Sequence, residues 1–213
     1  HEAGHAVVGL KLEGANDVQK ITIIPRGQAG GYTMMTPKEE TFTSTKQELL
    51  EAISGLLGGR VAEEIEFGEI TTGAHDDFKK ATKIARSMVT EYGMSKLGPM
   101  MLEEPSGNTF LGRDYTKNRN VSDIVAHEID EEMRSIINEC YEKTKKILKE
   151  NKNLLDLIAN TLLEEETITK EQIDSLVETG HLPIKEDKDE KNTDEDSSKK
   201  ETKSNKEQKT DKE

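Results

Sequence analysis

The first five residues, His-Glu-Ala-Gly-His, have the residue types and the spacing of a zinc site on a helix. Residues four positions apart share one face of a helix, so His1 and His5 can bind the same zinc ion. Glu2 then lies beside the ion, where its carboxylate can take a proton from a water molecule. The motif predicts zinc-assisted hydrolysis with Glu2 as the general base. The competing interpretation is two surface histidines on an amphipathic helix.

A catalytic zinc of this type needs a third protein ligand and keeps one position for water. The extended pattern in which Gly and a third His follow H-E-x-x-H fails here, because Val8 and Lys11 occupy those two positions. The third ligand must therefore come from a later helix. From the residues alone the candidates are Glu63, Glu64, His75, Asp76 and Asp77.

Hydrophobic periodicity indicates that mainly helices position these residues. Six helices are predicted. Five of them cover residues 1–12, 46–67, 121–150, 154–165 and 169–178. The other, third in chain order, follows the loop at 71–74 and ends at Gly93. Residues 20–27 and 30–35 are rich in β-branched and aromatic residues around a Pro-Arg-Gly turn, which predicts a short antiparallel pair. The Gly58-Gly59 pair inside a helix predicts close packing against another backbone.

Charge and composition argue against a nucleic acid partner and separate a folded domain from a charged tail. The formal net charge of -13 opposes binding to phosphate backbones, so we expect no nucleic acid partner. No apolar run approaches the roughly 20 residues that a membrane-spanning helix needs. Residues 185–213 contain no apolar residue and are predicted to be a disordered charged tail. Residues 1–184 are predicted to form one mainly α domain with a small hairpin or short sheet.

Five ordered segments resemble the peptidase domain of FtsH-type proteases. They are HEAGHAVVG, ITIIPRG, GGRVAEEI, TTGAHDDFKKAT and IARSMVTEYGMS, and the resemblance extends from residue 1 to about residue 180. It implies that His1, His5 and Asp77 bind zinc, one ion per chain, and that Glu2 is the catalytic base. The family commonly has Asn before the ligand aspartate, where this chain has Asp76. Glu63 and Glu64 would then be helix-face acids, or acids that orient a ligand imidazole.

The resemblance also implies the setting in which the domain acts. The implied protein is an ATP-dependent zinc metalloprotease that hydrolyses unfolded or membrane proteins for quality control. It would be a homohexamer held at the cell membrane, with the peptidase domain on the cytoplasmic side. No G-x-x-x-x-G-K-[ST] motif occurs in this chain, so ATP is implied only for a longer parent protein. We expect a chain that starts at His1 to be truncated and a poor protease alone.

Two other functions compete with peptide hydrolysis. One is a catalytically silent helical assembly module, against which an intact Glu2 argues. The other is a zinc hydrolase of a non-peptide substrate. The extended pair over residues 21–35 favours a peptide substrate, because an exposed strand edge can pair with a peptide backbone without selecting side chains. That edge could instead be covered by a neighbouring part of the protein.

Overall fold

Helices make up most of the chain, and one small sheet lies beside them. The computed structural model describes residues 1–14, 16–27, 30–38, 42–103 and 121–183. Within these ranges the α-helices are α1 (Glu2–Lys11), α2 (Lys46–Phe67), α3 (His75–Thr90), α4 (Asp123–Glu150), α5 (Lys152–Glu165) and α6 (Lys170–Thr179). The strands are β1 (Asn16–Thr22), β2 (Tyr32–Pro37) and β3 (Thr167–Thr169). The predicted fold class, mainly α with a short sheet, is confirmed.

The predicted charged tail at residues 185–213 lies outside those ranges. Among the described helices, none combines the length and the apolar character that crossing a bilayer would require.

The predicted antiparallel pair is present, and a third strand joins it. The sheet has the order β2-β1-β3, and both pairings are antiparallel. Ile21 in the central strand lies opposite Thr33 on one side and Ile168 on the other. The sequence pattern does not predict β3, because three residues between two helices are too few to show a period of two. As a result β2 is an outer strand of the sheet.

Capping residues define several helix ends where the sequence predicted them. Thr45 and Glu48 form a capping box at the start of α2, and Gly68 ends that helix in the left-handed conformation with φ 67°. The regular hydrogen bonds of α3 end at Thr90, three residues before the predicted Gly93. A wider turn then continues to Gly93, which has φ 59°.

The central element is α2, which packs against α1, α3 and α4. Its buried side chains Ile53, Leu57 and Val61 form part of the main hydrophobic core. This arrangement sets the positions of α1 and α3 relative to each other, since both are packed on the same helix. The candidate ligands on α1 and α3 therefore depend on α2 for their spacing.

The contact between α1 and α2 is a close backbone approach. A Cβ atom added to Gly4 would lie 2.4 Å from the carbonyl oxygen of Gly58, and one added to Gly58 would lie 2.8 Å from the carbonyl oxygen of Gly4. Real Cβ atoms do not come this near to backbone atoms, so both positions require glycine for this spacing. The predicted close packing at Gly58 is confirmed, and its partner is the helix that carries both histidines.

Candidate metal centre

Three candidate ligand atoms meet at one point, from His1 at the N-cap of α1, His5 in α1 and Asp77 in α3. The Nε2 atoms of His1 and His5 lie 3.1 Å apart. The Oδ2 atom of Asp77, in the first turn of α3, lies 3.4 Å from the His1 Nε2 and 3.3 Å from the His5 Nε2. In the described part of the chain these three residues form the group whose geometry could hold a metal ion.

The size and chemistry of this triangle fit zinc. Ligand atoms at about 2.0–2.1 Å from a tetrahedral zinc ion lie about 3.3 Å from one another. The three distances given above range from 3.1 to 3.4 Å. Two imidazoles and one carboxylate form a donor set that zinc accepts in catalytic sites, and it leaves a fourth position for water.

Hydrogen bonds fix the orientation of both imidazole rings. The Nδ1 atom of His1 lies 2.7 Å from Oε1 of Glu63, and Nδ1 of His5 lies 2.8 Å from the carbonyl oxygen of Gly55. Both partners are acceptors, so each Nδ1 carries the hydrogen and donates it. This orientation directs both Nε2 atoms toward Asp77, where each can bind a metal once it is deprotonated, which is how a ligand histidine is usually held.

Glu63 is itself held in a buried position. It is 7% exposed, and its Oε2 accepts hydrogen bonds from the backbone N–H and the hydroxyl of Thr71, at 3.2 and 3.0 Å. Burial raises the pKa of Glu63, but the hydrogen bonds from His1 and Thr71 outweigh burial and leave the pKa below its usual value. The carboxylate that orients His1 is therefore charged at neutral pH.

The pKa values of His1 and Asp77 are shifted in opposite directions by their mutual contact. The hydrogen bond to Asp77 raises the pKa of His1 to about 9, with Glu63 adding to the rise and burial opposing it. Burial raises the pKa of Asp77, but the hydrogen bonds to His1 and His5 outweigh it and hold the pKa well below its usual range. A proton on His1 thus balances the carboxylates, and a bound cation can take over that role when the imidazole is deprotonated.

A glycine on α2 makes room for the first histidine. A Cβ atom at Gly59 would lie 2.6 Å from the Nε2 atom of His1. Any other residue at this position would push the ring away from Asp77. The Gly58-Gly59 pair therefore has two separate effects, because Gly58 admits the backbone of α1 and Gly59 admits the imidazole.

The other candidates for the third ligand have different surroundings. Glu64 lies on the α4 side of α2, where it accepts hydrogen bonds from Tyr141 and from the Nζ of Lys145, the latter at 2.7 Å. Burial and Glu64 raise the pKa of Tyr141 to about 12. His75 and Asp76 are exposed and are not part of the three-residue cluster. The structure thus brings Asp77 to the histidine pair and keeps these three residues apart from it.

Glu2 and the histidines line a cleft of about 900 Å³ between α1, α2, β2 and the start of α3. The Oγ1 of Thr33 on β2 donates to Oε2 of Glu2, at 2.8 Å, and lies 3.0 Å from its carbonyl oxygen. The sequence alone does not point to Thr33, Thr71 or the Gly55 carbonyl. No local spacing signals them, because each acts across a tertiary contact.

Comparison with known proteins assigns the chain to a family. A sequence model of Peptidase family M41 matches residues 1–176. The chain is 60% identical to the ATP-dependent zinc metalloprotease FtsH of Acholeplasma laidlawii over 201 residues, which are 94% of this chain and 31% of that protein. It is 57% identical to the protein of the same name from Bacillus subtilis, over 91% of this chain and 31% of that protein.

The same name belongs to a relative in Alkalihalophilus pseudofirmus, with 62% identity over 86% of this chain and 27% of that protein. The chain therefore spans about a third of the length of these curated relatives. The family match covers the histidine pair and Asp77 as well as all five segments on which the resemblance was based. The predicted resemblance is confirmed, and this chain belongs to peptidase family M41, the family of the FtsH-type zinc metalloproteases.

Proposed function

We propose that this chain is the peptidase part of an ATP-dependent zinc metalloprotease. The observation that carries the proposal is the meeting of His1, His5 and Asp77 at zinc-binding distances beside Glu2, within one cleft. The names of the relatives support it, since they describe ATP-dependent zinc metalloproteases. In this proposal the three residues hold one zinc ion per chain.

Each side chain has a separate role in hydrolysis. When bound, zinc acidifies its water and polarises the carbonyl group of the scissile bond. Glu2 accepts the proton from the attacking water and then gives it to the leaving amine, so it acts first as base and then as acid. Glu63 and the Gly55 carbonyl keep His1 and His5 oriented through their Nδ1 hydrogens. Asp77 completes the ligand set from a second helix.

The substrate is an extended peptide that adds to the outer edge of β2. Gly31, Thr33 and Met35 line the cleft with Glu2, and β2 has β1 on its other side. Backbone pairing along this edge would hold the peptide across the metal site without selecting particular side chains. Unfolded polypeptides supply such segments, whereas stably folded proteins bury them. The geometry therefore favours a peptide over a compact non-peptide substrate.

The remaining parts of the proposal concern the longer protein. Unfolding of substrates by an ATPase module, assembly as a homohexamer, attachment to the cell membrane with the peptidase domain in the cytoplasm, and a role in protein quality control are all inferred from the FtsH resemblance. The word "ATP-dependent" in the relatives' names supports the first of these. The other three rest on the resemblance alone.

The substitution Glu2→Gln tests the reaction. In the protease that contains this chain, the variant should bind one zinc per chain and lose cleavage of an unstructured peptide, because Glu2 supplies the base and is not a ligand. Zinc content by metal analysis and peptide cleavage by mass spectrometry give the two readouts. Asp76→Asn is the matched control, since Asp76 lines the cleft but is not in the ligand cluster.

The result also separates the competing functions. A wild-type protein that binds zinc but cleaves no peptide under conditions of ATP turnover would favour a non-peptide substrate. A wild-type protein with neither zinc nor cleavage would favour a silent assembly module. Full cleavage by Glu2→Gln would remove Glu2 from the mechanism.

A further inference from the structure

We infer that Thr33 is a positioning residue for the general base, and that it connects the strand that binds substrate to the carboxylate that moves the proton. The inference deepens the proposed function and rests on it, because it concerns the same base. The supporting observation is a contact between β2 and α1, which meet in the wall of the cleft.

The contact is directional. The hydroxyl of Thr33 has one hydrogen and lies nearer to Oε2 of Glu2, at 2.8 Å, than to the carbonyl oxygen of Glu2, at 3.0 Å. A hydrogen bond to a carboxylate is stronger than one to a neutral carbonyl, so the carboxylate is the preferred acceptor. Within the described residues no hydrogen bond engages the second oxygen, Oε1. One oxygen of Glu2 is thus anchored, and the other is free to accept a proton.

The strand leaves only a narrow space for the base. A Cβ atom at Gly31 would lie 3.0 Å from Cγ and 3.2 Å from Oε1 of Glu2, and 2.6 Å from the carbonyl oxygen of Thr22. Gly31 therefore leaves room for Cγ and Oε1 of Glu2, while Thr33 contacts Oε2. Glutamate has three rotatable side-chain bonds, and together the two residues restrict the rotamers that Glu2 can adopt.

The position of Thr33 is set by the sheet. Its Cα lies opposite that of the buried Ile21 in β1, so backbone pairing and not a flexible loop fixes the position of this residue. A peptide that pairs with the outer edge of β2 would extend the sheet by one strand. It would then lie next to the residue that orients the base, and docking of the substrate and alignment of the base would depend on the same strand.

The test compares Thr33→Val with Thr33→Ser in the zinc-loaded protease. Valine keeps the shape and the strand propensity of threonine but removes the donor, whereas serine keeps the donor. For an unstructured peptide, Thr33→Val should lower kcat about 10- to 100-fold, the factor expected for a lost hydrogen bond to a charged group. KM should change less than about 3-fold, and zinc content should stay at the wild-type value. Thr33→Ser should restore most of kcat.

Binding of a peptide hydroxamate gives a readout that does not depend on turnover. Such a ligand places a hydroxyl group between the metal and the base, so a misplaced Glu2 weakens its affinity. Thr33→Val should weaken hydroxamate binding in the wild-type background and have little further effect in the Glu2→Gln background. Non-additivity of this kind shows that the two residues act through one contact.

Two results would overturn the inference. One is an unchanged kcat and hydroxamate affinity in Thr33→Val. The other is a loss that serine fails to restore, or that is additive with Glu2→Gln, which would mean that valine acts through general disruption of the fold. The proposed function fails in a different way, since it requires that the protein binds zinc and that Glu2→Gln abolishes cleavage. Loss of activity in Glu2→Gln with normal activity in Thr33→Val would sink this inference alone.

Discussion

Two neighbouring glutamates on α2, Glu63 and Glu64, illustrate how position decides the role of a side chain. Consecutive residues on a helix point about 100° apart. Glu63 consequently faces α1 and binds the Nδ1 of His1 at 2.7 Å, while Glu64 faces α4 and pairs with Lys145 at 2.7 Å. We infer that Glu63 supports the metal site and that Glu64 supports helix packing.

Zinc affinity should distinguish three carboxylates at this scale. Asp77→Ala should weaken zinc binding most severely, because it removes a proposed ligand. Glu63→Ala should weaken it about 10- to 100-fold, the usual cost of losing the group that orients a ligand histidine. Glu64→Ala should leave it unchanged. A competition titration with a chromophoric zinc chelator measures all three values.

Glu64→Ala is the control in that series, since it removes the same charge from the adjacent position. If Glu64→Ala weakened zinc binding as much as Glu63→Ala, the weaker binding would result from the loss of a negative charge and not from the loss of the hydrogen bond to His1. If Glu63→Ala weakened binding more than Asp77→Ala, the assignment of the third ligand would be wrong.

At the scale of elements, the crossing of α1 and α2 decides whether the site forms. The two helices run in opposite directions, and their backbones approach at Gly4 and Gly58. This approach brings the His1 and His5 rings within reach of Glu63 and the Gly55 carbonyl. A wider separation of the helices would break both contacts at once.

Gly58→Ala should therefore destabilise the protein. Alanine favours a helix over glycine by about 1 kcal/mol, but its Cβ would lie 2.8 Å from the Gly4 carbonyl oxygen. Overpacking of this kind costs about 1–3 kcal/mol, so we expect a net loss of stability and weaker zinc binding. Urea denaturation measures the free energy of unfolding.

Gly55→Ala is the matched control, because a Cβ at Gly55 on the same helix would meet nothing within 4 Å. It should be neutral or stabilise by up to about 1 kcal/mol. Equal changes in the two variants would mean that the α1–α2 contact does not depend on glycine.

In the whole molecule, the proposed metal would link α1 and α3, which are held in position by packing against α2. The candidate ligands come from α1 and α3, and α2 packs against both. A ligand that binds only the folded state stabilises it by an amount that grows with its concentration. Zinc binding at this site should therefore raise the free energy of unfolding of the entire domain.

Removal of zinc should lower the melting temperature of this chain. At free zinc about 100 times its Kd, the stabilisation is about 2.7 kcal/mol, which corresponds to a shift of about 5–10 °C for a protein of this size. Differential scanning calorimetry with and without a chelator measures the shift. Asp77→Ala should show almost no shift, whereas Asp76→Asn should behave as wild type. A shift of the same size in Asp77→Ala would place the stabilising zinc elsewhere.

Features that depend on local spacing could be predicted from the chain alone. The positions of His1, Glu2 and His5 at the start of one helix follow from the helical period, and the apolar periodicity of residues 46–67 predicts α2. The mainly helical class and the family follow from periodicity and from five ordered segments. The motif and the helices involve residues close together in the chain, where backbone geometry alone relates them, whereas the family follows from the order of segments spread over residues 1–95.

Contacts between residues on different elements could be identified only from the folded structure. From the residues alone, five candidates for a third ligand remained, and only the packing of α1 and α3 on α2 brings Asp77 to the histidine pair. The same is true of Glu63, 62 positions from His1, and of Thr33, 31 positions from Glu2. Such contacts have no period in the sequence, because the helix crossing and the strand register that create them result from packing of the core.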